Sequence, residues 1–159
     1  MNRKMRRAEK QMMQADAIEL LRNGEYGVLA CVDSSGQPYG VPVNYEFDGE
    51  DQIYFHGAPE GHTLDNLKDN PRVCFTVVGF HQVMDWKLAT AYESVIVFGE
   101  ASEVLGDEKF EALRQLALKF SPNYMNLFEE NIEQALDRVH VTKIQVHQIT
   151  GKEHKLEES

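Results

Sequence analysis

The sequence predicts a mainly β protein of the α+β class, in which six antiparallel strands form a small barrel with peripheral helices. Apolar, strand-like segments outnumber the helical ones, and short turns join the first three of them, which indicates a meander and not βαβ units. The chain has 159 residues, 42% of them hydrophobic, which suits one domain with one core. We therefore expect a single domain over residues 1–159, with residues 1–10 as a basic N-terminal arm.

In the first half of the chain, one helix leads into three strands. The spacing of apolar residues predicts a helix over residues 11–22. Three strands are then predicted over residues 26–32, 39–47 and 52–56. Asp, Ser, Gly and Pro dominate the connections between them, as is typical of tight turns. Pro42 cannot donate to a strand ladder, so the second strand is expected at a sheet edge or beside a bound group.

The second half of the chain alternates strands with helices. Helices are predicted over residues 62–69, 107–120 and 124–138, and strands over residues 72–78, 93–104 and 139–149. Gly99 is expected to form a bulge or bend in its strand. Residues 79–91 lack a clear period and contain Trp86, the only tryptophan, so this segment is predicted to be a functional or mobile loop.

The charge of the chain excludes two classes of partner. The formal net charge is −10, which disfavours nucleic acid and anionic membrane surfaces because both require clustered cations. The first ten residues hold five bases and one acid, a net charge of +4, so residues 11–159 carry a net charge of −14. The basic arm is either a solvated tail or a segment that docks on the acidic body or on a partner subunit.

Localisation and metal binding follow from what the sequence lacks. No apolar run suits a signal peptide or a membrane span, and Cys31 and Cys74 lie far apart in apolar segments. A cytoplasmic protein with free thiols is therefore expected. None of the six histidines has zinc-site spacing, so we predict no metal site. His140 and His147 are an odd number of residues apart, and they face opposite sides of their strand unless a bulge intervenes.

A candidate phosphate site lies where the third strand passes into the helix predicted over residues 62–69. Gly61 permits a close backbone approach, and the first amides of the helix are free to bind an anion. His62 adds a ring donor and Thr63 adds a hydroxyl. The alternative is a plain helix cap with a solvated histidine, and the segment alone does not separate the two.

His56 is the candidate catalytic residue. It ends the third strand, where alternation places it on the same face as Tyr54 and opposite Phe55. A single histidine in a strand is either a structural residue or a proton donor, and both interpretations stay open at this point.

A series of short motifs resembles one known family. They are YGVPVNY at residues 39–45, IYFHGA at 53–58 followed by Gly61-His62, NPRV at 70–73, SVIVFGEA at 94–101 and TGKE at 150–153. In order and spacing, they resemble the FMN-binding split barrels of the pyridoxamine-phosphate-oxidase-like superfamily, and most of all the subfamily related to nitroimidazole-resistance (Nim) proteins. The fold that the resemblance implies is a six-stranded antiparallel split β-barrel.

The resemblance also implies a homodimer with FMN at the subunit interface. The backbone of Pro42, Val43 and Asn44 would run along the isoalloxazine ring, and Ser94 and Val95 would contact the ring from a neighbouring strand. The ribityl phosphate side would be met by Phe55, His56, Gly61, His62 and Thr63. His62 stands where relatives more often have Lys or Arg.

The implied activity is electron transfer from NAD(P)H or another donor, through FMN, to a small acceptor such as a nitroaromatic. His56 would orient or protonate that acceptor. Basic residues for a second phosphate are not evident, so oxidation of pyridoxamine phosphate itself is not expected. Two alternatives stay open: a non-enzymatic FMN-binding or sensing protein, and a haem-binding split barrel.

Overall fold

The computed structural model describes residues 5–157, which form one antiparallel sheet with four α-helices. The strands are β1 Tyr26–Val32, β2 Pro38–Asn44, β3 Glu46–Phe47, β4 Gln52–Gly57, β5 Arg72–Met84, β6 Ala89–Glu103 and β7 His140–His154. The helices are α1 Gln14–Asn23, α2 His62–Asp69, α3 Gly106–Phe120 and α4 Met125–Arg138. The predicted α+β class and antiparallel sheet are confirmed.

The strand order explains the barrel. It runs β2-β1-β5-β6-β7-β4-β3, so β2 and β3 lie at opposite edges of the sheet. Only Tyr45 separates these two strands in the chain, which forces the sheet to curl until its edges meet there. The two edges belong to one continuous segment and do not pair with each other among the described residues, so the barrel is split. The strand predicted over residues 39–47 is therefore two strands, and the sheet has seven strands instead of six.

One face of the curled sheet carries the main core. Alternate residues of β1, β4, β5 and β6 point inward, among them Leu29, Phe75 and Val97, each fully buried. Helix α1 packs into the same cluster through Ala17 and Leu21. A side chain at Gly151 of β7 would place its Cβ 2.7 Å from the Cβ of Ala17, so glycine is what lets α1 lie this close to the sheet.

The prediction of an irregular loop over residues 79–91 is wrong. These residues extend β5 and β6 into a long hairpin whose tip is a 3-10 turn, Asp85–Lys87. The pairing of β5 with β6 is shifted between Val78 and His81, and this irregularity breaks the two-residue period that marks a strand. Trp86 lies at the tip of the hairpin, half exposed.

The expected irregularity at Gly99 is confirmed. The β6–β7 register shifts there, so that His147 of β7 is left without a partner in the ladder. A Cβ at Gly99 would lie only 2.3 Å from the carbonyl oxygen of Gln145. Because of this bulge, simple alternation along β7 no longer requires His140 and His147 to face opposite sides of the strand.

Helices α3 and α4 form an antiparallel pair over the outer side of β4 and β7. A second apolar cluster, containing Val104, Leu113, Ile132 and Val141, holds the pair against the sheet. Tyr54 of β4 packs against this cluster. Within residues 5–157, no helix is long and apolar enough to cross a membrane.

Candidate functional site

A cleft of about 160 Å³ opens where β4 ends and α2 begins. The chain leaves β4 at Gly57, passes through a short loop and enters α2 at His62, while β2 and β7 complete the walls. The cleft brings together six of the residues predicted for the site: Val43, Phe55, His56, Gly61, His62 and Thr63. We call this space the α2 cleft.

The N-terminus of α2 is open to a ligand. Gly61 has φ 140°, a backbone conformation that residues with a Cβ rarely adopt, and no other atom lies within 4 Å of where its Cβ would be. No side chain caps the helix, and Gly61 has none to offer, although its carbonyl accepts from the amide of Asp65 at 3.1 Å. The amides of the first turn therefore remain available to an anion.

His62 is held by an aromatic neighbour. Its ring centroid lies 4.2 Å from that of Tyr39, with a tilt of 37° between the planes. Tyr39 belongs to the edge strand β2 and lines the cleft. The sequence pattern did not identify Tyr39 as a site residue, because only the fold brings β2 beside α2.

Thr142 contributes an unsatisfied hydroxyl to the same place. The residue is 2% exposed, and its Oγ1 has no hydrogen-bond partner among the described residues. Thr142 pairs with Phe55 across β4 and lines the cleft together with His140. A buried hydroxyl without a partner costs about 1–3 kcal/mol, so a ligand atom that satisfies it would gain affinity. No sequence pattern marks Thr142 as a site residue, because it is one of two threonines in β7 and belongs to no motif.

His56 lies between the α2 cleft and a second space. That space, which we call the α3–α4 cavity, has a volume of about 400 Å³ and is lined mainly by apolar residues of the two helices. His56 lies on the wall of both. Phe55 points into the core and His56 away from it, as alternation predicted. Partial burial lowers the pKa of His56 below its ordinary value, so the ring is neutral at pH 7.

Two predicted residues of β2 lie beside this site. Pro42 is on the edge strand, as its missing amide proton required, and pairs with Val28 of β1. Asn44 lines the α3–α4 cavity, and its Nδ2 donates to the carbonyl of Glu25 at 2.9 Å. The side-chain oxygen of Asn44 therefore remains available to accept a hydrogen bond from a ligand.

Ser94 and Val95 do not line the α2 cleft of their own chain, and they lie far along β6 from the end of the cleft that holds Thr142. Ser94 pairs with Lys152, whereas Thr142, at the cleft, pairs with Glu103. Nine residues separate Ser94 from Glu103 along β6, which corresponds to about 30 Å. Val95 is fully buried in the core, so only its backbone could meet a ligand.

The basic arm lies at the same end as Ser94. Gln11 forms a bridge with Lys152, and the amide of Met12 donates to Gly151 at 3.1 Å. Arg7 pairs with Glu9 on the surface at 3.3 Å. The arm residues Arg3 and Lys4 lie outside the described part of the chain.

The electrostatics of the cleft depend on histidine. Of the residues that line it, none is Lys or Arg, and Glu60 is the acid. The Nδ1 atom of His140 lies 3.3 Å from a carboxylate oxygen of Glu103, but burial outweighs this contact and lowers the pKa of His140. Within residues 5–157, no group of three or more His, Cys, Asp or Glu residues is arranged to hold a metal ion.

Solved structures show where else this fold occurs. A candidate 5-nitroimidazole antibiotic resistance protein from Bacteroides thetaiotaomicron aligns over 89% of this chain and 85% of its own, with 23% identity and a TM-score of 0.74. An FAD- and haem-binding protein from Mycobacterium smegmatis aligns over 92% and 74%, with 18% identity and a TM-score of 0.80. An FAD-binding protein from Mesorhizobium loti aligns over 92% and 97%, with 20% identity and a TM-score of 0.66.

These identities establish a shared fold, and a family comparison goes further. No curated protein sequence matches the chain. The family model described as pyridoxamine 5'-phosphate oxidase matches residues 13–153, from the start of α1 to the end of β7. The chain therefore belongs to the pyridoxamine 5'-phosphate oxidase family, whose split-barrel fold it shares with flavin-binding and haem-binding proteins.

Proposed function

We propose that this protein binds FMN with its phosphate in the α2 cleft and acts as an oxidoreductase. The observation that carries the proposal is the combination of uncapped amides at α2, the open space at Gly61 and the unsatisfied hydroxyl of Thr142. A phosphate monoester needs several donors around one small volume, and these residues offer them without a lysine. The fold is also that of proteins that bind flavins.

Each residue of the α2 cleft has a distinct role in this proposal. The amides at the start of α2 and the Thr63 hydroxyl donate to the phosphate, while His62 donates from a ring that Tyr39 holds in place. Thr142, which lines the cleft, donates its hydroxyl proton to a cofactor oxygen. One helix N-terminus in so small a cleft suits a single terminal phosphate, which favours FMN over the longer diphosphate of FAD.

The site is complete only in a homodimer. Neither Ser94 nor any described residue of the arm lines the cleft of its own chain, so in this proposal a partner subunit brings them to it. A surface for that partner is present: Pro42, Val28, Thr76, Ile96 and Thr150 pair in a row across five strands on the outer side of the sheet. Val28 and Ile96 are exposed there, next to the half-exposed Phe98. Exposed apolar faces of this kind mark interaction sites.

The chemistry divides between the cofactor and the protein. Bound FMN would supply two-electron transfer between a nicotinamide donor and a small acceptor. His56 lies beside the cleft with a ring that is neutral at pH 7, so it can orient an acceptor by donating a hydrogen bond from its ring N–H. To protonate the acceptor, the ring first takes up a proton from solvent and then passes it on as the imidazolium. Asn44 offers an acceptor oxygen on the same side.

Steady-state reduction of a nitroaromatic by NADH or NADPH tests the proposed activity. His56→Ala should slow acceptor reduction and leave the flavin spectrum intact, whereas His81→Ala, on the exposed hairpin, should change neither. Unchanged turnover in the His56 variant would remove His56 from the mechanism. A protein that binds FMN but shows no turnover with either nucleotide would be a binding or sensing protein, and a Soret band after haem titration without bound flavin would contradict the FMN proposal.

A further inference from the structure

The α3–α4 cavity has the size and lining of a small-molecule pocket. Its volume is about 400 Å³, within the usual range of about 300–1,000 Å³ for ligand sites. Its apolar lining includes Leu113 and Leu116 of α3 and Phe128 and Ile132 of α4. Part of this lining, including Leu113 and Ile132, also belongs to the apolar cluster that packs the helix pair against the sheet.

The polar groups of the cavity restrict what can enter. Its lining includes no Lys, Arg, Asp or Glu side chain, so a charged ligand would lose its hydration without gaining a counter-ion. The polar contacts come from His56, Asn44, Ser121 and Asn131. The Nδ2 of Asn131 already donates to the carbonyl of Leu127 at 2.7 Å. His56 is the member of this set that also reaches the α2 cleft.

We propose that the α3–α4 cavity binds an uncharged, mainly apolar small molecule that carries a hydrogen-bonding group, with that group directed to His56. This inference rests on the proposed function: the bound molecule is the electron acceptor. It meets the cofactor at the wall that the cavity shares with the α2 cleft. The neutral state of His56 at pH 7 agrees with an uncharged partner.

Calorimetric titration of the protein as isolated with two matched probes tests the inference. 4-Nitrotoluene and 4-nitrobenzoate share a ring and a nitro group, and only the second carries a negative charge. The wild-type protein should bind 4-nitrotoluene at least about tenfold more tightly, a difference of about 1.4 kcal/mol. Equal affinity for both probes, or no binding of 4-nitrotoluene, would overturn the inference.

A cavity-filling variant locates the binding. Ala117 of α3 lines the cavity, so Ala117→Phe should weaken 4-nitrotoluene binding at least about tenfold. Ala15→Phe makes the same change at an exposed position of α1 and should leave the affinity unchanged. If Ala117→Phe does not fold, Ala135→Leu fills the cavity from α4. A filled variant that still binds 4-nitrotoluene as the wild type does would contradict the assignment.

The same variants separate this inference from the proposed function. Flavin absorbance should persist in Ala117→Phe, since Ala117 lines the α3–α4 cavity and not the α2 cleft. A wild-type protein that retains no flavin but binds 4-nitrotoluene in this cavity would contradict the proposed cofactor and support the binding site. A wild-type protein that retains flavin but does not bind 4-nitrotoluene would support the proposed cofactor and contradict the binding site.

Discussion

At the scale of single residues, the proposed site depends on polar groups that the fold leaves unsatisfied or neutral. Thr142 is the clearest case, because a native protein rarely buries a hydroxyl without a partner. His56 is the second, because desolvation lowers the pKa of a ring that lines both the α2 cleft and the α3–α4 cavity. Each has a measurable consequence.

Replacing Thr142 with Val should have opposite effects on stability and on binding. Without cofactor, the variant loses an unsatisfied hydroxyl and should gain about 1 kcal/mol in free energy of unfolding. Its affinity for FMN should fall about tenfold, because a donor to the cofactor is gone. Urea unfolding of the flavin-free protein and equilibrium titration with FMN measure the two effects.

The matched control is Thr150→Val, because the hydroxyl of Thr150 already donates to the carbonyl of Ile96 at 3.2 Å. This variant should gain no stability. If Thr142→Val destabilises the flavin-free protein and binds FMN normally, Thr142 has only a structural role.

The lowered pKa of His56 predicts a loss of stability in mild acid. The pKa of His56 is below its unfolded value of 6.5, and burial lowers that of His140 as well. Below about pH 6.5 the unfolded chain therefore binds more protons than the folded one, and stability falls as pH decreases. The urea midpoint should drop from pH 7.5 to pH 5.5.

The carboxylate of Glu108 is not expected to contribute to the change in stability between pH 7.5 and pH 5.5. Its pKa is lowered from 4.5, chiefly by a hydrogen bond from Lys143, so the stability it adds is lost only below about pH 4.5. A His56→Gln/His140→Gln double variant should show a smaller drop between pH 7.5 and pH 5.5. A drop of the same size in that variant would assign the pH dependence to other groups.

At the scale of elements, the connection from β4 to α2 is the part that most directly builds the site. Gly61 sets the direction of the first helical turn with a φ that an alanine would adopt only under strain. Gly36, in the β1–β2 turn, also has positive φ and also has no atom near its Cβ position. Comparing alanine substitutions at Gly61 and Gly36 therefore separates the effect of backbone strain from the effect on FMN binding.

Gly61→Ala and Gly36→Ala should each cost about 1 kcal/mol of stability, since both force a left-handed conformation on alanine. Only Gly61→Ala should also weaken FMN binding, by about tenfold or more, because it moves the amides of α2. Thermal unfolding and FMN titration measure the two quantities. Equal FMN affinity in both variants would exclude the N-terminus of α2 as the phosphate site.

Local sequence chemistry predicted this element well and others less well. The bounds of α2 were predictable because Gly61 and the Asn70-Pro71 pair mark its ends. The β5–β6 hairpin was not, because its irregular register hides the two-residue period. Tyr39, Thr142 and the α3–α4 cavity were missed since they depend on which strands and helices the barrel brings together, and no local pattern records that.

At the scale of the whole molecule, the outer side of the sheet predicts a homodimer. Ile96 lies on that side between Thr76 and Thr150, so Ile96→Glu would bury a carboxylate in the proposed interface. The variant should elute as a monomer in size-exclusion chromatography with light scattering and should lose flavin. Leu127→Glu, at an exposed position of α4, should stay dimeric. A wild-type monomer that holds flavin would contradict the interface.

The net charge of −10 adds a requirement on the molecule as a whole. An acidic protein repels a phosphate, so the donors of the α2 cleft must overcome that field locally. If the basic arm assists across the dimer, deletion of residues 1–10 should weaken FMN binding more at low salt than at high salt. Unchanged affinity after the deletion would make the arm a solvated tail.

The most direct test of the central claim is the visible absorption spectrum of the protein purified without added cofactor, with mass analysis of whatever is released on denaturation. We expect a flavin spectrum with about one FMN per subunit. A colourless protein that takes up no FMN on titration would contradict it.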